Sequence, residues 1–143
     1  MNKDFFDKDF LKKAREVFNN EGFLSFTGMK LESIEKGKAV LSCENKNELA
    51  QSAGYMHGGM VASILDTAGG FAAFTVIPQN CRIVTSELKI NYLRPVIAKK
   101  VIGIGEVISQ GKKLIVVEAV LKDEDDNMLA KMMATMFVIE NAK

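Results

Sequence analysis

The chain's single histidine, His57, stands directly before Gly58-Gly59, and the lone charge of the apolar run that follows is Asp66. A glycine pair opening a helix exposes backbone N–H groups with no Cβ in the way, and the helix dipole adds positive character there. Such a terminus can hold an oxyanion or polarise a carbonyl; it can equally be a tight turn into a helix. A carboxylate in apolar surroundings is costly to bury unless something uses or satisfies it. Held there, it can act as a general base for water or as a nucleophile, and the sequence leaves both open. Nine helical steps set His57 and Asp66 on opposite sides and about 13–14 Å apart along the axis. One helix cannot join them in a hydrogen bond. A reaction that uses both must draw them from two subunits.

The element that carries these residues is the stretch from Gly58 to Ile77, almost wholly apolar or small and stopped by Pro78. A run that is apolar all round is a buried helix or a membrane span. An Asp at the centre of a span costs about 2.5–3.5 kcal/mol, and Gly69 and Gly70 add little apolar area. The stretch therefore reads as a helix with protein on nearly every side, and no membrane partner is expected.

Before it, residues 8–20 form an amphipathic helix, with Phe10, Leu11, Ala14, Val17 and Phe18 at helical spacing and Asp7 or Asp9 able to cap its start. Phe23, Leu24 and Phe26 form an apolar knot. Residues 28–35 and 38–44 pair as a hairpin, with Ala39, Leu41 and Cys43 on one face. Residues 45–56 are a polar loop containing Gln51. After Pro78 come strands over 82–93, 100–109, 113–122 and 128–139, whose short links predict an antiparallel meander. Strict alternation sets Thr85 with Glu87, Lys89 and Asn91, opposite Leu88, Ile90 and Tyr92. The last two strands are apolar on both faces, so a second subunit is the expected cover and the chain is expected to be a homo-oligomer.

Nineteen basic and 18 acidic side chains leave a net charge of +1. No basic stripe stands out, so no nucleic-acid partner is expected. Two cysteines far apart, with one histidine, suggest neither a zinc site nor a disulfide framework, and no metal or cofactor is expected. The charged N-terminus is unlike a signal peptide, and the reading is a cytoplasmic protein with reduced thiols. One antiparallel sheet of five or six strands wrapped around one long central helix gives an α+β class in a single domain over 1–143.

His57-Gly58-Gly59, then Asp66-Thr67-Ala68, then Val84-Thr-Ser-Glu-Leu-Lys-Ile-Asn-Tyr-Leu-Arg-Pro95 resembles the hotdog-fold acyl-CoA thioesterases, most nearly the phenylacetate-degradation (PaaI-like) type. The resemblance covers roughly 27–140. It implies a hotdog core over that range, residues 1–26 as a helical lid, and assembly into dimers or tetramers. It implies an acyl-CoA thioester hydrolase needing no cofactor. Asp66 would attack the thioester or activate water, and the Gly58 N–H would polarise the carbonyl. His57 would order the loop near the sulfur, Gln51 would supply a side-chain amide, and Thr85 a hydroxyl. Some relatives also carry a hydroxyl four residues after the acid, where this chain has Gly70. Loop, glycine and acid come from facing subunits. Gly59, Arg94, Lys112 and Lys113 are the candidate substrate contacts, with Lys99 and Lys100 further basic residues for the coenzyme A phosphates. Phe71, Phe74, Phe23 and Phe26 are candidates for the acyl pocket. A non-catalytic acyl-CoA-binding protein on the same fold is the alternative, against which Asp66 speaks; a hotdog dehydratase would arrange its histidine and acid differently.

Overall fold

The computed structural model describes residues 8–142. Its elements are α1 (Lys8–Asn20), α2 (Gly22–Thr27), β1 (Lys30–Glu35), β2 (Lys38–Glu44), a single 3₁₀ turn (Asn47–Leu49), α3 (Gly58–Phe74), β3 (Cys81–Tyr92), β4 (Lys100–Gln110), β5 (Leu114–Asp123) and β6 (Met128–Glu140). The six strands form one antiparallel sheet in the order β1-β2-β4-β5-β6-β3. This is the hotdog arrangement, with the sheet curled around α3. Asp7, a candidate cap for α1, lies outside the described residues.

Two features of the order correct the expected meander. Only β4, β5 and β6 run as successive hairpins. β3 pairs with β6 at the far edge, and β2 pairs with β4 across the inserted helix. The link from β3 to β4 contains Arg94-Pro95 and lacks the tight turn a hairpin needs, so it carries the chain across the sheet instead.

The core lies between α3 and the concave face. Ile64, Leu65 and Ala68 are fully buried against Leu41, Val101, Val117 and Met132. The sheet comes closest to the helix at β4: a Cβ on Gly105 would fall inside the helix backbone at Ala68, and one on Gly69 would lie 2.8 Å from Val117 Cγ2. Glycine in these strand and helix interiors marks a close approach of two backbones. It draws the sheet tight around the middle of α3.

Helix α1 packs over the C-terminal half of α3. Phe10, Ala14 and Phe18 are buried, Phe10 stacks on Phe74 at 5.6 Å and Phe18 meets Phe71 at 5.0 Å. The expected knot at 23–26 is instead the short helix α2. Leu24 and Thr27, three apart, face the core, which leaves Phe23 and Phe26 on the opposite side, 54% and 79% exposed. Neither lines a pocket with Phe71 and Phe74.

Helix α3 ends at Phe74 rather than at Pro78. Thr75 Oγ1 donates to Ala72 O and accepts from Gly37 N–H at 2.6 Å, tying the helix end to the β1–β2 turn. Nor is α3 enclosed all round. Ser63, Asp66, Thr67 and Gly70 are half-buried, while Met60, Val61, Ile64, Leu65, Ala68 and Phe71 are buried. The spacing i, i+3, i+4, i+7 gathers these small and polar residues into one stripe, which the sheet leaves partly open beside β3. No helix among the described residues is long and apolar enough to cross a membrane.

Candidate active site

Asp66 stands on the open stripe of α3, and Thr85 on β3 reaches it. Thr85 Oγ1 donates to Asp66 Oδ1 at 2.6 Å and lies 3.4 Å from Met136 Sδ. Strict alternation would have turned Thr85 away. The register with β6 shifts between Thr85, opposite Met136, and Glu87, opposite Thr135. Ser86 is therefore a bulge, an extra residue on β3. It puts Thr85 on the helix-facing side with Leu88, Ile90 and Tyr92, and leaves Glu87, Lys89 and Asn91 outside. A similar bulge at Glu32 on β1 turns Ile34 into the core with Leu31.

The carboxylate opens on a cavity of about 340 Å³ lined by Val17, Phe71, Phe74, Ile83 and Met136 among others. Apolar side chains dominate this wall, and Glu21 and Arg82 are its charged members besides Asp66. Burial pushes the Glu21 carboxyl up from its ordinary range. Thr85's bond to Oδ1 leaves Oδ2 without a protein donor among the described residues, free to meet water or substrate.

At the start of α3, His57 is the N-cap. Its Nδ1 accepts from Gly59 N–H at 2.8 Å, so the proton of a neutral ring sits on Nε2. The His57 carbonyl accepts from Met60 N at 2.9 Å and Val61 N at 3.1 Å. These three bonds use the N–H groups of Gly59, Met60 and Val61. The Gly58 N–H has no acceptor among the described residues. It belongs to the same trans peptide as the His57 carbonyl and so points the opposite way, out of the helix end.

Gly58 and Gln51 line one cavity of about 320 Å³ with Tyr55, Val61, Tyr92 and Arg94. The loop that brings Gln51 there is held by its backbone. Gln51 N–H donates to Tyr55 O at 2.7 Å, His57 N–H to Leu49 O at 2.7 Å, and Met56 N–H to Val96 O at 3.0 Å. Gln51 Oε1 accepts from Ala53 N–H, and its amide N–H groups have no protein acceptor among the described residues.

The predicted residues thus fall into two groups within one protomer: Asp66 with Thr85, and Gln51, His57 and Gly58 around the helix start. Gly58 and Asp66 are eight residues apart, about 12 Å along the axis, and line different cavities. The basic candidates do not form one cluster. Arg94 donates to Asn127 Oδ1 at 3.3 Å beside the β5–β6 turn. Lys112 and Lys113 lie at the β4–β5 turn, at the opposite end of the sheet. Lys100 pairs with Glu32 at 3.9 Å, and Lys99 lines a neighbouring cleft with Arg94. Among the described residues no three His, Cys, Asp or Glu side chains gather as metal ligands would. Cys43 is buried, and burial pushes its thiol up, away from the reactive thiolate.

Residues 53–130, more than half of the chain, match the family model described as the thioesterase superfamily. The chain belongs to the thioesterase superfamily. A 1,4-dihydroxy-2-naphthoyl-CoA hydrolase of Listeria monocytogenes is 30% identical, over 85% of this chain and 99% of its own length. A Saccharolobus solfataricus protein named "Putative esterase" is 35% identical, over 92% of this chain and 94% of its own. The crystal structure of a thioesterase family protein from Silicibacter pomeroyi superposes with a TM-score of 0.87 at 27% identity, covering 91% of this chain and 98% of that one. Membership of the superfamily bears out the expected hydrolase of thioesters.

Two site features were not anticipated. One is the stripe Ser63-x-x-Asp66-Thr67-x-x-Gly70, whose helical spacing is present in the sequence but hidden in an apolar run. The other is Tyr92, whose hydroxyl donates to Gly58 O at 3.1 Å.

Proposed function

We propose that the chain hydrolyses acyl-CoA thioesters to the free acid and coenzyme A, within the phenylacetate-degradation branch of the superfamily. The observation that carries this reading is a carboxylate fixed by one hydroxyl at the rim of an apolar cavity of acyl size. Asp66 attacks the carbonyl carbon or takes the proton of a water that does. Either route forms a new C–O bond, moves the carbonyl electron pair onto oxygen, and expels the thiolate when the C=O re-forms. Attack by water gives the free acid directly, whereas attack by Asp66 leaves a mixed anhydride that a water then hydrolyses to the free acid and the Asp66 carboxylate. The Gly58 N–H holds the oxygen that gains charge. His57 Nε2–H stands on the sulfur side, Gln51 supplies a further amide donor, and Thr85 keeps Oδ1 occupied so that Oδ2 faces the reaction.

The site is completed by a second copy of the chain. Gly58 and Asp66 open on different cavities in one protomer, and a copy set against β3 would bring its own helix start to Asp66. In support, β3 is a long edge strand with Val84, Leu88 and Tyr92 exposed, the kind of edge that invites pairing. Mixing Asp66→Ala subunits, expected to lose turnover, with Gln51→Ala subunits, expected to show a smaller but clear loss, tests this. A rate after subunit exchange above the average of the two parent variants supports a shared site, and a rate equal to that average despite exchange contradicts it.

A hydrolase and a hydratase are separated by one comparison. Incubation with an enoyl-CoA should release free thiol without forming a hydroxyacyl-CoA. Hydration without thiol release would overturn the reading.

A further inference from the structure

The Gly58–Gly59 peptide is gripped at both ends. Gly59 N–H donates to His57 Nδ1 at 2.8 Å, and Gly58 O accepts from Tyr92 Oη at 3.1 Å. Neither glycine has a side chain to limit its backbone, and a Gly-Gly helix start is conformationally loose. Fixing a residue's backbone costs conformational entropy, so a donor that must point at a developing charge gains from being held beforehand. The His57 carbonyl fixes the preceding peptide through Met60 N and Val61 N. Tyr92 fixes the following one. The free Gly58 N–H lies on the first of these peptides, which joins the second at the Gly58 Cα, so a hold on the second limits how far the glycine backbone can carry the N–H from its place.

Tyr92 is placed for this by β3. The Ser86 bulge that turns Thr85 inward sets Tyr92 on the same side, opposite Ala130 of β6. Its ring also lies against Gly58, where an added Cβ would meet Cε1 at 3.4 Å. The hydroxyl has no other partner among the described residues, and Tyr92 lines the cavity that holds Gly58 and Gln51. From these contacts we infer that Tyr92 is a positioning residue for the reaction, its hydroxyl tethering the start of α3 to β3 through the Gly58 carbonyl so that the Gly58 N–H, on the adjoining peptide, keeps its aim at the thioester oxygen. This rests on the thioesterase reading and on the role given there to Gly58. It adds that one strand sets both halves of the chemistry, Asp66 through Thr85 and Gly58 through Tyr92.

The test is Tyr92→Phe, which removes the hydroxyl and keeps the ring. The expected result is a fall in kcat of roughly five- to tenfold, the size of one lost hydrogen bond, with KM for phenylacetyl-CoA changed less than about twofold. A purely structural role could also lower kcat, so a second readout follows the carbonyl itself. The infrared stretch of ¹³C-carbonyl phenylacetyl-CoA is measured bound to Asp66→Asn, which stalls turnover, and to the Asp66→Asn, Tyr92→Phe double variant. The stretch should move to lower frequency on binding to the single variant, and much of that shift should disappear in the double variant. A shift that persists unchanged, or a kcat equal to wild type in Tyr92→Phe, overturns the proposal. No shift in the single variant would show that Gly58 does not polarise the carbonyl, and Tyr92's role would fall with it. The thioesterase reading itself fails only if wild type releases no thiol.

Discussion

Thr85 Oγ1 lies 2.6 Å from Asp66 Oδ1, across the gap between an edge strand and the open side of the central helix. A one-residue bulge at Ser86 makes the contact possible. The hydrogen bond pins one carboxylate oxygen and leaves the other without a protein donor among the described residues.

Removing that bond should slow turnover without unfolding the protein. A hydrogen bond to a charged group contributes about 1.5–3 kcal/mol, so Thr85→Val is expected to lower kcat roughly 10- to 100-fold. Thr85→Ser, which restores the hydroxyl, should recover most of the loss. Steady-state kinetics on the three proteins checks this, and equal rates would return Thr85 to a packing role.

Gly70 and Gly105 should respond in opposite ways to the same change. A Cβ at Gly70 meets nothing within 4 Å, and the residue lines the cavity beside Asp66. Gly70→Ala should stabilise the helix by about 0.5–1 kcal/mol and lower kcat/KM selectively for the bulkiest acyl groups. Gly105→Ala forces a methyl into the helix backbone at Ala68 and should cost about 3 kcal/mol or more. Thermal unfolding of both variants, with an acyl-length series for the first, checks the pair.

The acidic turn after β5 is a built structure rather than a loose tip. Asp123 Oδ1 accepts from Asp125 N at 3.0 Å and Asn127 N at 2.9 Å, and Oδ2 accepts from Asn127 Nδ2 at 3.0 Å. The Asn127 side chain, then the Asn127 and Asp125 backbone N–H groups and the nearby Arg94 charge, hold the Asp123 carboxyl below the usual range against a small opposing effect of burial. A carboxyl lowered on folding adds stability that is full above the unfolded Asp value, near pH 4, and is lost as pH falls through the lower folded value. Asp123→Ala should therefore melt below wild type at pH 7, with a gap that narrows as the pH is taken under about 3. A gap that does not change with pH would contradict this.

Neither cysteine should matter for activity. Cys43 and Cys81 are both buried, and burial raises the Cys43 thiol. Iodoacetamide at pH 7.5 should leave native turnover intact, while the unfolded chain takes two labels. Rapid inactivation of native protein would point to a thiol in the site.

Much of this fold was legible because its elements bury large side chains at regular spacing. Helix α1 and strand β2 have the bounds that Phe10, Ala14, Phe18 and Ala39, Leu41, Cys43 imply. The start of α3 follows from His57-Gly58-Gly59. Other features depend on contacts that alternation does not encode. A bulge at Ser86 or Glu32 shifts the pattern by one residue and leaves no compositional mark. The crossing of β3 to the far edge follows from the sheet closing around the helix, which pairwise turn signals do not report. The spacing Gly103-x-Gly105 inside a strand does mark a close backbone approach, and Ser63, Asp66, Thr67 and Gly70 do mark an open helix face. Both cues were present in the residues. Asp66 was a candidate from the sequence because a lone charge in an apolar run stands out by residue type. The Gly58 N–H was marked as a candidate by the glycine pair after His57, whereas the Tyr92 hydroxyl, which donates to a backbone carbonyl across the fold, left no mark in the sequence.

The central claim is that Asp66 drives thioester hydrolysis. Its most direct test is free-thiol release from a panel of acyl-CoAs, from short aliphatic to phenylacetyl, by wild type and Asp66→Ala side by side, with thermal unfolding of both. The expected result is release by wild type from at least one member of the panel and a loss of about 10²- to 10⁴-fold in kcat for Asp66→Ala, with its melting temperature retained. A folded Asp66→Ala that keeps the wild-type rate would contradict the account.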